Sequence, residues 1–193
     1  MFMLDGEIGN YVICRNRKYS YFAGNNYLGL AAHPKVKEAA IRSVEKYGAC
    51  FSASRQTTGT SLLHLELEKE LTLFKQKNDS VIFASGFLGN RILVDVLKER
   101  FTSAFIDSDA HPSILYGIPG EIHDVYRYDH CNPADLEAKL KEYNKGKSLI
   151  ITDGVFALTG EIAPLDKIYE IALKFDALII VDDAHSTGIL GDH

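Results

Sequence analysis

The stretch ALIIVDDAHSTGILG, Ala177 to Gly191, decides the fold. Its apolar run, Ala177 to Val181, is followed at once by Asp182, Asp183 and His185, then by small, polar and glycine residues. A short run with β-branched residues that ends in such signals reads as a buried strand of a parallel sheet. In open α/β sheets ligands lie beyond the carboxyl ends of the strands, which is where Asp182 and His185 fall. A carboxylate there can pair with a protonated heterocycle nitrogen, and a nearby histidine can reach a neighbouring polar substituent. Pyridoxal phosphate has that requirement, because its pyridinium must stay protonated to act as an electron sink. From this stretch alone, a strand end carrying solvated polar residues is an equal alternative.

Outward from this stretch, strands and helices alternate. Helices are expected over 164–175, 133–143 (opened by Asn132), 111–116 and 89–99, and strands over 148–152, 124–128, 104–106 and 81–84. This alternation predicts an α/β fold, a mostly parallel sheet with helices on both faces. Nearer the N-terminus, Pro34 suits a first helical position, with Val36, Ala40, Val44 and Tyr47 on one face. Leu63, Leu67, Leu71 and Phe74 repeat that spacing in a helix over 61–75, after a small, polar loop, ACFSASRQTTGT. Residues 1–24 read as an N-terminal arm of short strands, and residues 25–193 as part of one large domain.

With 193 residues, 46% hydrophobic and 24% charged, the chain is long enough for one sizeable core. The net charge of −5, with no clustered basic excess, argues against nucleic acid. No apolar stretch approaches the roughly 18 residues of a membrane span. MFMLDGEIGNY lacks the basic and apolar regions of a secretory signal, so the cytoplasm is the expected compartment. Cys14, Cys50 and Cys131 are far apart and form no C-x-x-C, and the seven histidines form no compact ligand spacing. Neither a disulfide framework nor a metal site is expected.

Other strand ends carry further candidates. Ser85-Gly86-Phe87-Leu88-Gly89-Asn90 follows a strand and opens a helix, a junction whose free N–H groups and dipole suit phosphate, or which is only a turn. His111, in Asp107-Ser-Asp-Ala-His, can stack on a flat ring or sit at the surface beside a helix cap. Asp153 can orient other site groups or cap a turn. Asn25 and Asn26 can receive a carboxylate or shape a turn. Four strand ends thus each carry one part of a site for a flat, phosphorylated, cationic ring.

The segments NNYLGLAAHP, SASRQTTGTSLLHLELEKEL, FASGFLGN, DAHPSI, TDGVFALTGEIAPL and VDDAHSTGILG run in order from about Asn25 to Gly191. Together they resemble the N-terminal half of the α-oxoamine synthases, fold-type I pyridoxal-phosphate enzymes that include 8-amino-7-oxononanoate synthase, glycine C-acetyltransferase, 5-aminolevulinate synthase and serine palmitoyltransferase. The resemblance implies an aspartate aminotransferase-like large domain, incomplete at its C-terminus. It implies that Ser85, Gly86, Phe87 and Leu88 bind the cofactor phosphate, and that His111 stacks on the ring. Asp182 would partner the ring nitrogen, His185 the ring hydroxyl, Asp153 would support the cofactor, and Asn25 would lie near the amino-acid carboxylate.

Such enzymes condense an amino acid with an acyl-CoA, usually with loss of carbon dioxide, to an aminoketone, and are typically homodimers. Their cofactor-bonding lysine lies downstream of the positions present here, so this stretch by itself is expected to be inactive. Ala157 stands where many members carry serine, and Cys50-Phe51-Ser52-Ala53 replaces a glycine-rich loop near the substrate pocket. These departures keep two alternatives open: another fold-type I enzyme such as an aminotransferase, or a lysine-lacking, non-catalytic partner subunit. A parallel sheet ending at the strand over 177–182 leaves an unpaired edge. The 193-residue chain expressed alone is therefore expected to associate or precipitate; a monomer in ultracentrifugation with one sharp unfolding transition would contradict this.

Overall fold

The structure is a computed structural model that describes residues 2–191; Met1, Asp192 and His193, the outermost positions of the expected arm and domain, lie outside the described residues. The chain divides into two compact units, Met1–Ile82 and Phe83–His193.

In the first unit, β1 (Leu4–Asp5), β2 (Tyr11–Cys14) and β3 (Arg17–Ser20) form an antiparallel meander. Cys14 pairs with Arg17, and the two residues between them, Arg15 and Asn16, have φ of 50° and 59°. Two left-handed residues match the right-handed twist of a tight hairpin. Val12 and Cys14 alternate inward and are buried.

α1 (Pro34–Tyr47) starts on proline, with the His33 side chain accepting from the Lys35 N–H at 3.3 Å. α2 (Leu62–Phe74) opens with a capping box between Ser61 and His64. Arg55 ties the preceding loop to α2 by a two-pronged bond to Glu68, at 2.5 and 3.1 Å. The guanidinium, helped by the Ile82 N–H, holds the Glu68 carboxyl down at about 2. The apolar faces read from the sequence do form stripes, but Val36, Val44, Leu67 and Phe74 on them remain exposed.

The strand expected over 81–84 is absent. Val81 is exposed, and the Ile82 N–H donates at 3.1 Å to the Glu68 side chain. A carboxylate meets a donor that a sheet would otherwise need, and a four-residue apolar run has no ladder to join.

The second unit is the α/β body. Its sheet contains β4 (Ser103–Asp107), β5 (Asp124–Tyr128), β6 (Ser148–Asp153) and β7 (Leu178–Asp182) in the order β5-β4-β6-β7, all parallel. α3 (Gly86–Leu97) and α4 (Pro112–Gly117) cover one face, through Val94 and Ile114 against Ala104, Ile106, Leu149, Ile151 and Ile180. α5 (Pro133–Tyr143) and α6 (Leu165–Phe175) cover the other, through Leu136, Leu140, Ile168 and Ala172 against Phe105, Tyr128 and Ile150. Asn132 caps α5 by accepting from the Asp135 N–H at 3.1 Å. A Cβ on Gly117 would lie 3.1 Å from the Arg91 Cα, so this glycine lets α4 close onto α3.

β4 and β6 are buried at every position, whereas β7, the strand that decided the reading, is an edge strand buried only at Ile180. The connection from β5 crosses β4 to reach β6, so the chain changes direction between these two strands. Ligand crevices in open sheets form at the carboxyl side of such a switch. Ile150→Ala is expected to cost about 2–5 kcal/mol in urea unfolding, because Ile150 is 0% exposed. Leu158→Ala, at a position 100% exposed, is expected to stay within about 0.5 kcal/mol of the parent.

Candidate active site

Three parallel strands end in carboxylates: Asp107 on β4, Asp153 on β6 and Asp182 on β7. Asp107 and Asp153 are buried, and Asp182 is half-buried directly across from Asp153 in the ladder. Burial pushes the Asp153 carboxyl up to about 6. The His111 N–H, donating to it at 3.3 Å, works against that rise, and the charges of Asp182 and Asp107 add to it.

A chain of hydrogen bonds crosses this edge. Asn90 Nδ2 donates to Asp182 Oδ2 at 2.8 Å and to Ser113 Oγ at 2.9 Å. Ser113 Oγ lies 2.6 Å from His111 Nδ1, and that nitrogen also accepts from the Ser113 N–H at 3.2 Å. With Nδ1 an acceptor, the hydroxyl proton points to it, and the ring proton belongs on Nε2. The Ala184 N–H donates to the other Asp182 oxygen at 3.1 Å. The carboxylate and the exposed imidazole are thus held by one relay drawn from β7, α3 and α4.

The relay begins in the turn that opens α3. Ser85 is its N-cap; its Oγ accepts from the Leu88 N–H at 3.2 Å and its carbonyl from the Gly89 N–H at 3.0 Å. The N–H groups of Gly86 and Phe87 have no intrahelical acceptor, as at any helix start, and carry the positive end of the dipole. The Phe87 ring packs on Tyr116, with centroids 6.3 Å apart. On the far side, the turn 183–187 folds against the end of β6. A Cβ on Gly154 would lie 2.6 Å from Ser186 Oγ, so a larger residue there would displace the Ser186 hydroxyl. Asp183 anchors that turn by accepting from Ser186 and, at 2.8 Å, from Thr187; His185 within it is half-buried.

Ser85, Gly86, Phe87, Leu88, His111, Asp153, Asp182 and His185 all belong to this unit, and hydrogen bonds join His111 to Asp153 directly and to Asp182 through Ser113 and Asn90. Asn25 lies in the other unit and is exposed, while its neighbour Asn26 is used locally, donating to the Ile8 carbonyl at 3.1 Å. Ala157 is exposed in the hairpin closed by Val155 and Ile162, and Cys50 is exposed with Sγ 3.2 Å from Ser52 Oγ.

The structure adds Asn90 and Ser113, which the sequence reading did not single out as site residues. Their only signal was position, at the end of SGFLGN and two places after His111. The donor set fits a flat phosphorylated ring with a protonated nitrogen: two free amides for an anion, an oriented carboxylate for an N–H, and an exposed planar ring for stacking.

Residues 18–193 match the family model for aminotransferase class I and II. The chain belongs to that family. It is 39% identical over 191 residues to 8-amino-7-oxononanoate synthase 1 of Bacillus subtilis, covering 98% of this chain and 49% of that protein. It is 40% identical over 171 residues to the mitochondrial 2-amino-3-ketobutyrate coenzyme A ligase of Bos taurus, covering 88% of this chain and 41% of that one. Among solved structures, serine palmitoyltransferase of Sphingomonas wittichii superposes with a TM-score of 0.92 at 26% identity, over 100% of this chain and 49% of that one. The fold is therefore that of fold-type I enzymes, and a serine palmitoyltransferase solved with PLP matches with a TM-score of 0.90. The chain spans about half the length of the curated relatives it matches.

Asp153 has a sign-definite consequence. Its carboxyl, raised to about 6 from 3.8, favours folding while protonated. That contribution is complete below about pH 4 and is lost as the pH rises through about 6. Asp153→Asn keeps an acceptor for the His111 N–H and removes the ionisation. It is expected to gain about 3 kcal/mol relative to the parent between pH 4 and pH 8. Urea-unfolding free energies measured across that range check this, and parallel curves would refute it.

Proposed function

We propose that this chain is the N-terminal part of a pyridoxal-phosphate-dependent acyltransferase of the α-oxoamine synthase type, which condenses an amino acid with an acyl-CoA to an aminoketone. The single observation that carries the reading is the relay from Asp182 through Asn90 and Ser113 to His111 at the carboxyl edge of the sheet. The similarity to an 8-amino-7-oxononanoate synthase and to a 2-amino-3-ketobutyrate coenzyme A ligase supports it.

Bound pyridoxal phosphate would supply an electron sink for a reaction at the α-carbon of the amino acid. The amides of Gly86 and Phe87, at the Ser85-capped start of α3, would hold its phosphate, with Leu88 completing that turn. Asp182, with each oxygen already oriented by an N–H donor, would keep a proton on the ring nitrogen. His111 would lie against the ring, its tautomer set by Ser113, with Nε2–H left to donate. His185 would meet the ring hydroxyl and Asp153 would brace His111 through its main chain.

Asn25 would receive the carboxylate of the amino acid. Residues 1–24 would act as an arm on a large domain of which residues 25–193 are a part. The lysine that bonds the cofactor would belong to the portion of the relatives' length that this chain does not span, leaving the 193-residue stretch inactive alone. The working enzyme would be a cytoplasmic homodimer that engages neither nucleic acid nor membrane. No described helix is long and apolar enough to cross a membrane.

The test is product analysis of the native-length enzyme given glycine, alanine or serine with a panel of acyl-CoAs. An aminoketone with release of CoA is expected. A keto acid without acyl-CoA consumption would mean an aminotransferase, and no turnover from a chain without the lysine would mean a partner subunit. Asp182→Asn is expected to lower condensation by at least about 100-fold, as loss of a charge aimed at the reacting group does elsewhere, with cofactor absorbance still present. Unchanged turnover in that variant would remove Asp182 from its role.

A further inference from the structure

Outside the relay, a second polar cluster forms where the loop after β5 meets the hairpin after β6. Asp107, fully buried, accepts from the Asp109 N–H at 2.9 Å, the Cys131 N–H at 2.9 Å and His130 Nδ1 at 2.8 Å. Both of its oxygens are acceptors in these bonds, so the proton at Nδ1 belongs to the histidine. Nε2, on the far side of the ring, lies 3.1 Å from Glu161 Oε2. An ionised carboxylate brings no proton to this contact, and two bare acceptors repel at such a distance. The geometry therefore requires a second ring proton, which makes the ring an imidazolium.

We propose that His130 is a pH-sensitive clasp on the 155–162 hairpin, closed when both ring nitrogens carry protons and released when one proton is lost. The ring touches both arms of the hairpin. Phe156, buried on the outgoing arm, meets it edge-on with centroids 4.3 Å apart, and Glu161, on the returning arm, accepts from Nε2. Within itself the hairpin is joined by the Val155–Ile162 bridge, by the Phe156 N–H to the Glu161 carbonyl at 3.0 Å and by the Gly160 N–H to the Phe156 carbonyl at 2.8 Å. When one proton leaves, Nδ1 keeps its own, because the buried Asp107 faces it. Nε2 is then bared, and Glu161 is the partner released.

The charges facing the ring favour the closed form. Asp107 at the end of β4, Asp109 in the loop after it and Glu161 on the hairpin are acids, and the Cys131 thiol lies 3.7 Å from Nε2. Burial by itself lowers the histidine, but the bonds and charges of Asp107, Glu161 and Asp109 outweigh it and raise the ring above its ordinary 6.5. The contribution to closure is therefore complete below about 6.5 and is lost as the pH rises through the raised value. The hairpin is rooted at Gly154, whose N–H donates to the Asp182 carbonyl at 2.8 Å and whose carbonyl accepts from the Ala163 N–H at 3.1 Å. Opening the clasp loosens a segment that starts between Asp153 and the end of β7. The clasp stands by itself; that Asp153 and Asp182 serve a cofactor rests on the function proposed above.

The test is a nitrogen-15 NMR titration of the histidine rings in the native-length protein as purified, with amide exchange of the hairpin followed over the same pH range. His130 is expected to lose its second proton with a midpoint above 6.5. Glu161→Gln, at a side chain 55% exposed, preserves the fold and is expected to weaken the ring's proton affinity about two- to fivefold, the range of a partly exposed ion pair. Coupling is reciprocal, so exchange protection of the Phe156 and Gly160 amides should fall by the same factor as the pH rises through the midpoint, and by less in Glu161→Gln. A midpoint at or below 6.5, a midpoint unmoved by Glu161→Gln, or parent protection that stays constant through the titration would each overturn the clasp. Neither readout uses turnover, so a failed clasp leaves the proposed reaction standing, and a failed product analysis leaves the clasp standing.

Discussion

β4 and β6 are buried at every residue, and the geometry of the second unit follows from satisfying them. Apolar strands covered on both faces need helices above and below, and parallel neighbours need crossovers to supply those helices. α3 and α4 fill one side and α5 and α6 the other. Because the chain reverses its direction of travel between β4 and β6, the loops at their carboxyl ends diverge to opposite faces. The polar residues that end the strands are left facing the resulting gap.

That edge concentrates negative charge in a poorly solvated place. Asp107 accepts from three donors, whereas Asp153 accepts from the His111 N–H and its carboxyl is raised to about 6. Asp182, at the half-buried edge strand, is instead held by a side-chain amide and a main-chain N–H. Burial first, with the charges of Asp182 and Asp107 adding to it, raises the Asp153 carboxyl. Burial, with the charges of Asp107, Glu161 and Asp109, likewise pushes the Cys131 thiol up to about 11.

The elements were largely legible because their signals are local. Asn132 before Pro133 and Pro34 at a helix start each fix backbone geometry within a few residues. The segment 81–84 misled for the same reason: its composition suits a strand, but a strand exists only with a partner, and Glu68 captured its N–H. Likewise the periodic faces of α1 and α2 are real, yet periodicity cannot say what covers them, and Val36 and Phe74 are exposed.

The sequence by itself determined the α/β alternation and the positions of the strand-end residues, since each depends on neighbours in the chain. Tertiary structure alone decided the strand order and the contacts of Asn90 with Asp182, 92 residues away, and with Ser113, 23 residues away. Those contacts depend on which strand ends the crossovers bring side by side. No local pattern encodes that, because a hydrogen bond across the sheet edge constrains the type of its two partners and not their distance along the chain.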